Sequence, residues 1–291
     1  MKLWVTVVLV VGTAFLGAAQ AAEDIGWYTA AEQGQSARSY WISGPQGVVI
    51  LGTQLLASEA EAMLREAQSR TGRKALMAVV LAPTPAQFNG TAVLQKHGVK
   101  VYTSQQVAAA IPAARAQAQP RLIAQFGRDY PAAEPKPASF GDTGRQMLIG
   151  GVQFQLRTLG PGTAVAHVVV ECDGHLFAGD LISGPVHPLL SGGSLDAWFK
   201  RLQELRTTRP RRIYPAYGEP GGMALISNQM IYIKQLMDFV AAENPHMPVA
   251  PDAAARVKQK MLEAYPSYAS PENLDALVAG EWQRQAGGVS R

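Results

Sequence analysis

The sequence is poor in cysteine, in charge and in histidine. A single cysteine, Cys172, stands among 291 residues. That excludes an intrachain disulfide, and it excludes a thiolate metal cage, which needs several sulfurs. Charged residues make up 16% of the chain, and Lys+Arg 26 against Asp+Glu 22 leaves a net charge of +4. No Lys/Arg run is long enough to follow a phosphate backbone, so nucleic acid is excluded as an expected partner. Only five histidines are present: His97, His167, His175, His187 and His246. No apolar run reaches the roughly 20 residues of a bilayer-spanning helix. Against these absences, 47% of residues are hydrophobic, enough to bury a large core and too many for a disordered chain.

The N-terminus has the pattern of an export signal. Lys2 precedes an apolar run over 3–16, and Ala19-Gln20-Ala21 gives an Ala-x-Ala cleavage site. A cation, a short apolar core and small residues are the three parts of a secretory signal. The expectation is a cleaved signal peptide over 1–21, a periplasmic or secreted protein, and no membrane span after cleavage. An uncleaved anchor is the alternative, for which the run is short.

Apolar patterning predicts alternating strands and helices. Strands are expected at 39–42 and 47–51 around a Gly-Pro-Gln-Gly turn. A helix capped by Ser58 should run to Arg70 and stop at Gly72. The run 74–81 has the length and composition of a strand buried on both faces. A short helix over 91–97, a strand at 99–102, and an Ala/Gln-rich helix from Ser104 towards Gln125, broken at Pro112, follow. A Pro-rich connector occupies 131–138. Strands are then expected at 146–149, 152–158, 167–171, 175–177 and 212–214, with helices over 194–206 and 227–242. Two amphipathic helices, 252–264 and 271–285, close the chain as a lid or a packing appendage. The order fits two sheets between helical layers.

Short signatures within this order resemble the metallo-β-lactamase fold. Leu176-Phe177-Ala178-Gly179-Asp180 resembles that family's Leu-Phe-x-Gly-Asp. Leu159-Gly160-Pro161-Gly162-Thr163-Ala164 is similar to its Gly-Pro-Gly-His-Thr turn. Residues 79–90 resemble the strand and His-x-His-x-Asp-His loop, and Pro215-Ala216-Tyr217-Gly218 resembles Pro-Gly-His-Gly. The resemblance implies an α/β protein, a four-layer αββα sandwich of metallo-β-lactamase type. It would comprise a domain over 22–246 with a C-terminal helical extension over 247–291. The ligand positions depart from the family. Pro83 and Pro85 stand for the two histidines, Gln87 for the aspartate and Phe88 for the last histidine of the loop. Thr163 and Tyr217 replace the later histidines, and Gly52 replaces the early acidic residue. Asp180, at the bridging carboxylate position, remains. Zinc requires three or four imidazole, thiolate or carboxylate donors, and Pro and Phe offer none.

The expected function is therefore a metallo-β-lactamase-like protein without the zinc motif, a non-catalytic binding or accessory protein without cofactor. Its pocket would be lined by Thr84, Gln87, Phe88, Asn89, Thr163, His167, Asp180, His187 and Tyr217, with Glu219 nearby. Such a mixed apolar and polar concavity suits a small molecule or peptide; the partner would be an unidentified small molecule or periplasmic protein. Two catalytic alternatives stand beside this reading. His167, His187 and Asp180 could form a two-His, one-carboxylate site for one zinc or iron. Ser183 or Ser191 with His187 and Asp180 could act without metal, although no strand–Ser–helix elbow is present. A third reading makes the C-terminal helices an interaction surface, which requires an exposed apolar patch on them. His97 is read as sitting at a helix C-terminus, a favourable place for a cation, His175 as solvated in a turn, His246 as part of a surface loop, and Cys172 as a structural thiol.

Overall fold

The computed structural model describes residues 22, 24–32 and 35–288; the signal segment read at 1–21 lies outside the described residues. The strands are β1 (Asp24–Thr29), β2 (Arg38–Gly44), β3 (Gly47–Leu51), β4 (Ala75–Val79), β5 (Lys100–Thr103) and β6 (Ala138–Ser139), then β7 (Arg145–Ile149), β8 (Val152–Leu159), β9 (His167–Cys172), β10 (His175–Ser183) and β11 (Arg212–Tyr217). The first six form one sheet in the order β1-β2-β3-β4-β5-β6, antiparallel through β3 and parallel beyond it. The other five form a second sheet in the order β11-β10-β9-β8-β7, with only β10 and β11 parallel.

Strand alternation builds the layers. Successive side chains of a strand point to opposite faces, and β9 sends Val168, Val170 and Cys172 into one core while Val169 enters another. The first core lies between the sheets and under α1 (Ala57–Thr71), α3 (Thr91–Lys96) and α4 (Gln105–Phe126). The second lies between the second sheet and α5 (Leu195–Thr207), α6 (Ala224–Ala242), α7 (Pro251–Ala264) and α8 (Asn273–Gly288). The expected four-layer αββα sandwich is thus the observed architecture. Tyr40 ties the two sheets by donating to the Pro215 carbonyl at 2.7 Å.

Several local expectations are corrected. Strand β1 was not read from the sequence; it is a half-exposed edge strand whose alternation is shallow. Strands β10 and β11 run on to Ser183 and Tyr217, past the expected ends. Helix α4 passes unbroken through Pro112 and Pro120. Both prolines are exposed, so water reaches the side on which each leaves a carbonyl unpaired. Ser58 does not cap α1: Leu56 holds the N-cap position without a side-chain bond. Asp129 instead accepts from both the Ser58 N–H (2.8 Å) and its hydroxyl (2.6 Å), supplying the anion that a helix N-terminus favours.

The C-terminal helices are a packing appendage. Val257, Met261, Leu274, Leu277 and Trp282 are buried against α6, and Trp282 donates to the His246 carbonyl at 2.8 Å. Their apolar faces are spent on the second core, which removes the basis for reading them as a docking surface. Among the described residues, no helix is long and apolar enough to cross a membrane.

Candidate functional site

The site is built where β3 and β4 end and β10 passes opposite them. After β3 the chain turns at Gly52, with φ +81°. Residues 53 and 54 then clasp the turn α2 (Pro85–Phe88). The Thr53 hydroxyl and N–H both donate to the Gln87 carbonyl, at 2.8 and 3.1 Å, and the Gly90 N–H donates to the Gln54 carbonyl. Pro85 sits in the first turn of α2, where its missing N–H costs no helical bond. Thr84 precedes the turn without capping it, because its hydroxyl donates to Asp180 Oδ2 at 2.5 Å. Gln87 Nε2 donates to Asp180 Oδ1 at 3.1 Å. Both oxygens of the one retained carboxylate therefore accept hydrogen bonds from this loop.

The electrostatics of Asp180 are those of a desolvated acid. Burial raises its carboxyl above the ordinary range, and the Thr84 and Gln87 donors oppose that rise without cancelling it. The Tyr217 phenol is held protonated, raised first by burial and then by the Asp180 charge. Beneath Asp180, the Thr163 hydroxyl donates to its backbone carbonyl at 3.3 Å. Glu219 pairs outward with Arg38, whose guanidinium lies 5.6 Å from the centre of the Trp27 ring.

The sequence-derived residues thus separate into groups. Thr84, Gln87, Asp180, Thr163 and Tyr217 come together. Phe88 is fully buried in the first core, a packing residue and not a pocket wall. Asn89 is buried too, its amide nitrogen spent on the Leu55 carbonyl at 3.1 Å. His167 closes the 160–164 turn: its Nε2 accepts the Ala164 N–H at 3.1 Å, which assigns the ring proton to Nδ1. Full burial pushes its pKa down to about 3, so the ring is neutral. His187 faces elsewhere. Its Nδ1 lies 2.9 Å from the Tyr232 hydroxyl, its ring packs 5.5 Å from Tyr268, and its carbonyl accepts from Asn273 Nδ2.

The catalytic alternatives lose their geometry here. The three side chains do not converge: His167 bonds to the Ala164 N–H and lies 3.5 Å from the Thr163 hydroxyl, His187 bonds to Tyr232, and the Asp180 carboxylate bonds to Thr84 and Gln87; among the described residues no group of three or more His, Cys, Asp or Glu is arranged to hold a metal. The Nε2 of His187 is buried without a hydrogen-bond partner, so neither Ser183 nor Ser191 is bonded to it as a nucleophile would be to its base. Only six residues separate Asp180 from His187, yet the loop turns at Gly184, packed against Gly218, and carries His187 to the C-terminal helices. Of the other histidines, His97 and His246 are exposed, the latter as expected. His175 is instead partly buried, its Nδ1 2.8 Å from the Tyr214 hydroxyl. Cys172 is buried, its thiol pushed up to about 12 chiefly by desolvation, as a structural thiol should be.

Zinc, which the fold family implies, does not fit these residues. Asp180 is the one carboxylate among these residues, its two oxygens each accept a hydrogen bond from Thr84 or Gln87, and the neutral Thr, Gln and Tyr groups around it do not make up the three or four donors that zinc needs. Gln87 also fills the space of the early acidic residue: a Cβ on Gly52 would lie 3.1 Å from Gln87 Oε1 and 3.2 Å from Ser39 Oγ. Sequence reasoning missed the backing of this region, where buried Gln54 donates to Ser39 Oγ at 2.9 Å. The signal available was a polar Thr-Gln pair directly after an all-apolar strand.

No family profile matches the chain, and no curated protein matches it by sequence. Solved structures do. A metallo-β-lactamase from Pontibacter korlensis superposes with a TM-score of 0.56 at 18% identity, over 74% of this chain and 97% of that one. The DIM-1 metallo-β-lactamase, in a crystal exposed to ceftazidime, gives 0.56 at 14% identity, over 74% and 94%. At such identities the likeness is one of fold, and the fold is that of the metallo-β-lactamases.

Proposed function

We propose that this chain is an exported, metal-free binding or accessory protein, a metallo-β-lactamase scaffold whose metal centre has become a neutral hydrogen-bond network around Asp180. The observation that supports it most is the pair of bonds from Thr84 and Gln87 to the two Asp180 oxygens. A carboxylate so engaged is a fixed acceptor, and the neutral groups beside it, Thr163 and Tyr217, are recognition groups without nucleophilic or acid–base strength at neutral pH. The ligand this site suits is a small molecule or peptide group that presents hydrogen-bond donors to Asp180. Export rests on Lys2, the apolar run and the Ala-x-Ala site.

The rival reading, a hydrolase on Asp180, His167 and His187, draws no support from side chains that do not converge. The two readings are separated by a panel of β-lactam, thioester and phosphoester substrates, assayed with added zinc, for the native chain and Asp180→Ala. The expected result is no turnover above the variant. Turnover that disappears in Asp180→Ala would overturn the proposal.

A further inference from the structure

A second feature lies at the opposite end of the same strands. Where β4 and β5 begin, the two sheets diverge and leave a groove of about 630 Å³. That volume falls within the roughly 300–1,000 Å³ of small-molecule sites. Met77 and Tyr102 form its wall on the first sheet, Met147 and Ile149 its wall on β7 of the second, and Leu76 lies at its rim, 37% exposed. Tyr102, Met147 and Ile149 pack only partly against the inter-sheet core, so the groove is the open mouth of that core.

Its charge has one sign. Lys74 and Lys100 line the groove, His97 stands beside them, and no acidic residue contributes to the lining. Neither lysine has a carboxylate within ion-pair distance among the described residues, whereas several other surface lysines and arginines are paired. Two methionines, unbranched and adaptable, suit a flexible aliphatic guest better than a rigid one. The apolar part of the lining is made of side chains, Met77, Tyr102, Met147 and Ile149, beside two lysines, and this combination suits an acyl chain with an anionic head.

We infer that this groove binds a single-chain anionic amphiphile of the fatty-acid type, its tail between Met77 and Met147 and its carboxylate at Lys74 and Lys100. The site is separate from Asp180 and does not depend on the reading of that site.

The test is calorimetric titration of the mature protein with palmitate below its micellar concentration, with hexadecanol as the uncharged control. Palmitate is expected to bind once per chain, hexadecanol at least tenfold more weakly. The double variant Lys74→Glu/Lys100→Glu, on exposed positions, should weaken palmitate about tenfold. Met147→Trp should block it by filling the groove, and Asp180→Asn should leave it unchanged. Absence of palmitate binding would overturn the inference. So would equal affinity for hexadecanol, an unaltered affinity in the charge-reversal variant, or uptake confined to anionic vesicles with none of the free acid.

Discussion

At the scale of residues, the chain has the metallo-β-lactamase fold, and among its described residues no His, Cys, Asp and Glu are grouped to hold a metal. Gln87 supplies a hydrogen where the family's motif has an aspartate, Thr84 beside it donates to the same carboxylate, and His167 turns its Nε2 towards a backbone N–H. His167 also makes the fold sensitive to acid. Its native pKa of about 3 lies below the ordinary 6.5, so the unfolded chain takes up a proton that the native state refuses. Stability is therefore complete above pH 6.5 and declines as pH falls towards 3, by about 2 kcal/mol at pH 5. Asp180, raised by burial, acts in the opposite sense as pH falls. Urea unfolding at pH 7 and pH 5 should show a smaller loss in His167→Gln, which keeps an acceptor for the Ala164 N–H, than in the native chain. Equal losses would refute the assignment. The replaced ligands were legible because each is a residue type at a motif position. Their hydrogen-bond partners were not, since the six residues of sequence between Asp180 and His187 say nothing about which way a loop turns.

At the scale of elements, stability comes from pieces that local patterning cannot connect. Helix α4 is tied to the Pro-rich connector by Arg115, buried beneath it. Its guanidinium donates to the carbonyls of Pro131 (3.1 Å), Ala132 (3.0 Å) and Ala133 (2.7 Å) and lies 5.5 Å from the centre of the Tyr130 ring. Charge-assisted bonds of this kind are worth about 1.5–3 kcal/mol, and the carbonyls would lose their partner together. Arg115→Met should therefore lower the free energy of unfolding by about 2–3 kcal/mol. An unchanged denaturation midpoint would show that the connector is held by other contacts. The sequence marked the helix and the Pro-rich segment separately. The arginine joining them reads as one surface cation among many, just as Asp129 gives no sign that it serves α1, 71 residues away. Elements with strong alternation or strong amphipathicity were legible, and the weakly patterned edge strand β1 was not.

At the scale of the whole molecule, two cores with opposite faces of one sheet between them hold the layers together. Tyr40, Phe154 and Phe177 fill the inter-sheet core, and Trp198, Tyr232 and Trp282 fill the outer one. Burial on this scale needs no coordination bond to hold the strands together. The layer order was legible from strand–helix succession, and the C-terminal helices proved to complete the second core. The central claim, the proposal that hydrogen bonds have replaced the metal centre, is tested most directly by elemental analysis of the purified protein. The protein would be purified without chelator and dialysed against trace zinc, iron and manganese. The account predicts metal far below one per chain and an unfolding midpoint indifferent to chelator. Stoichiometric metal that disappears in Asp180→Ala would contradict it.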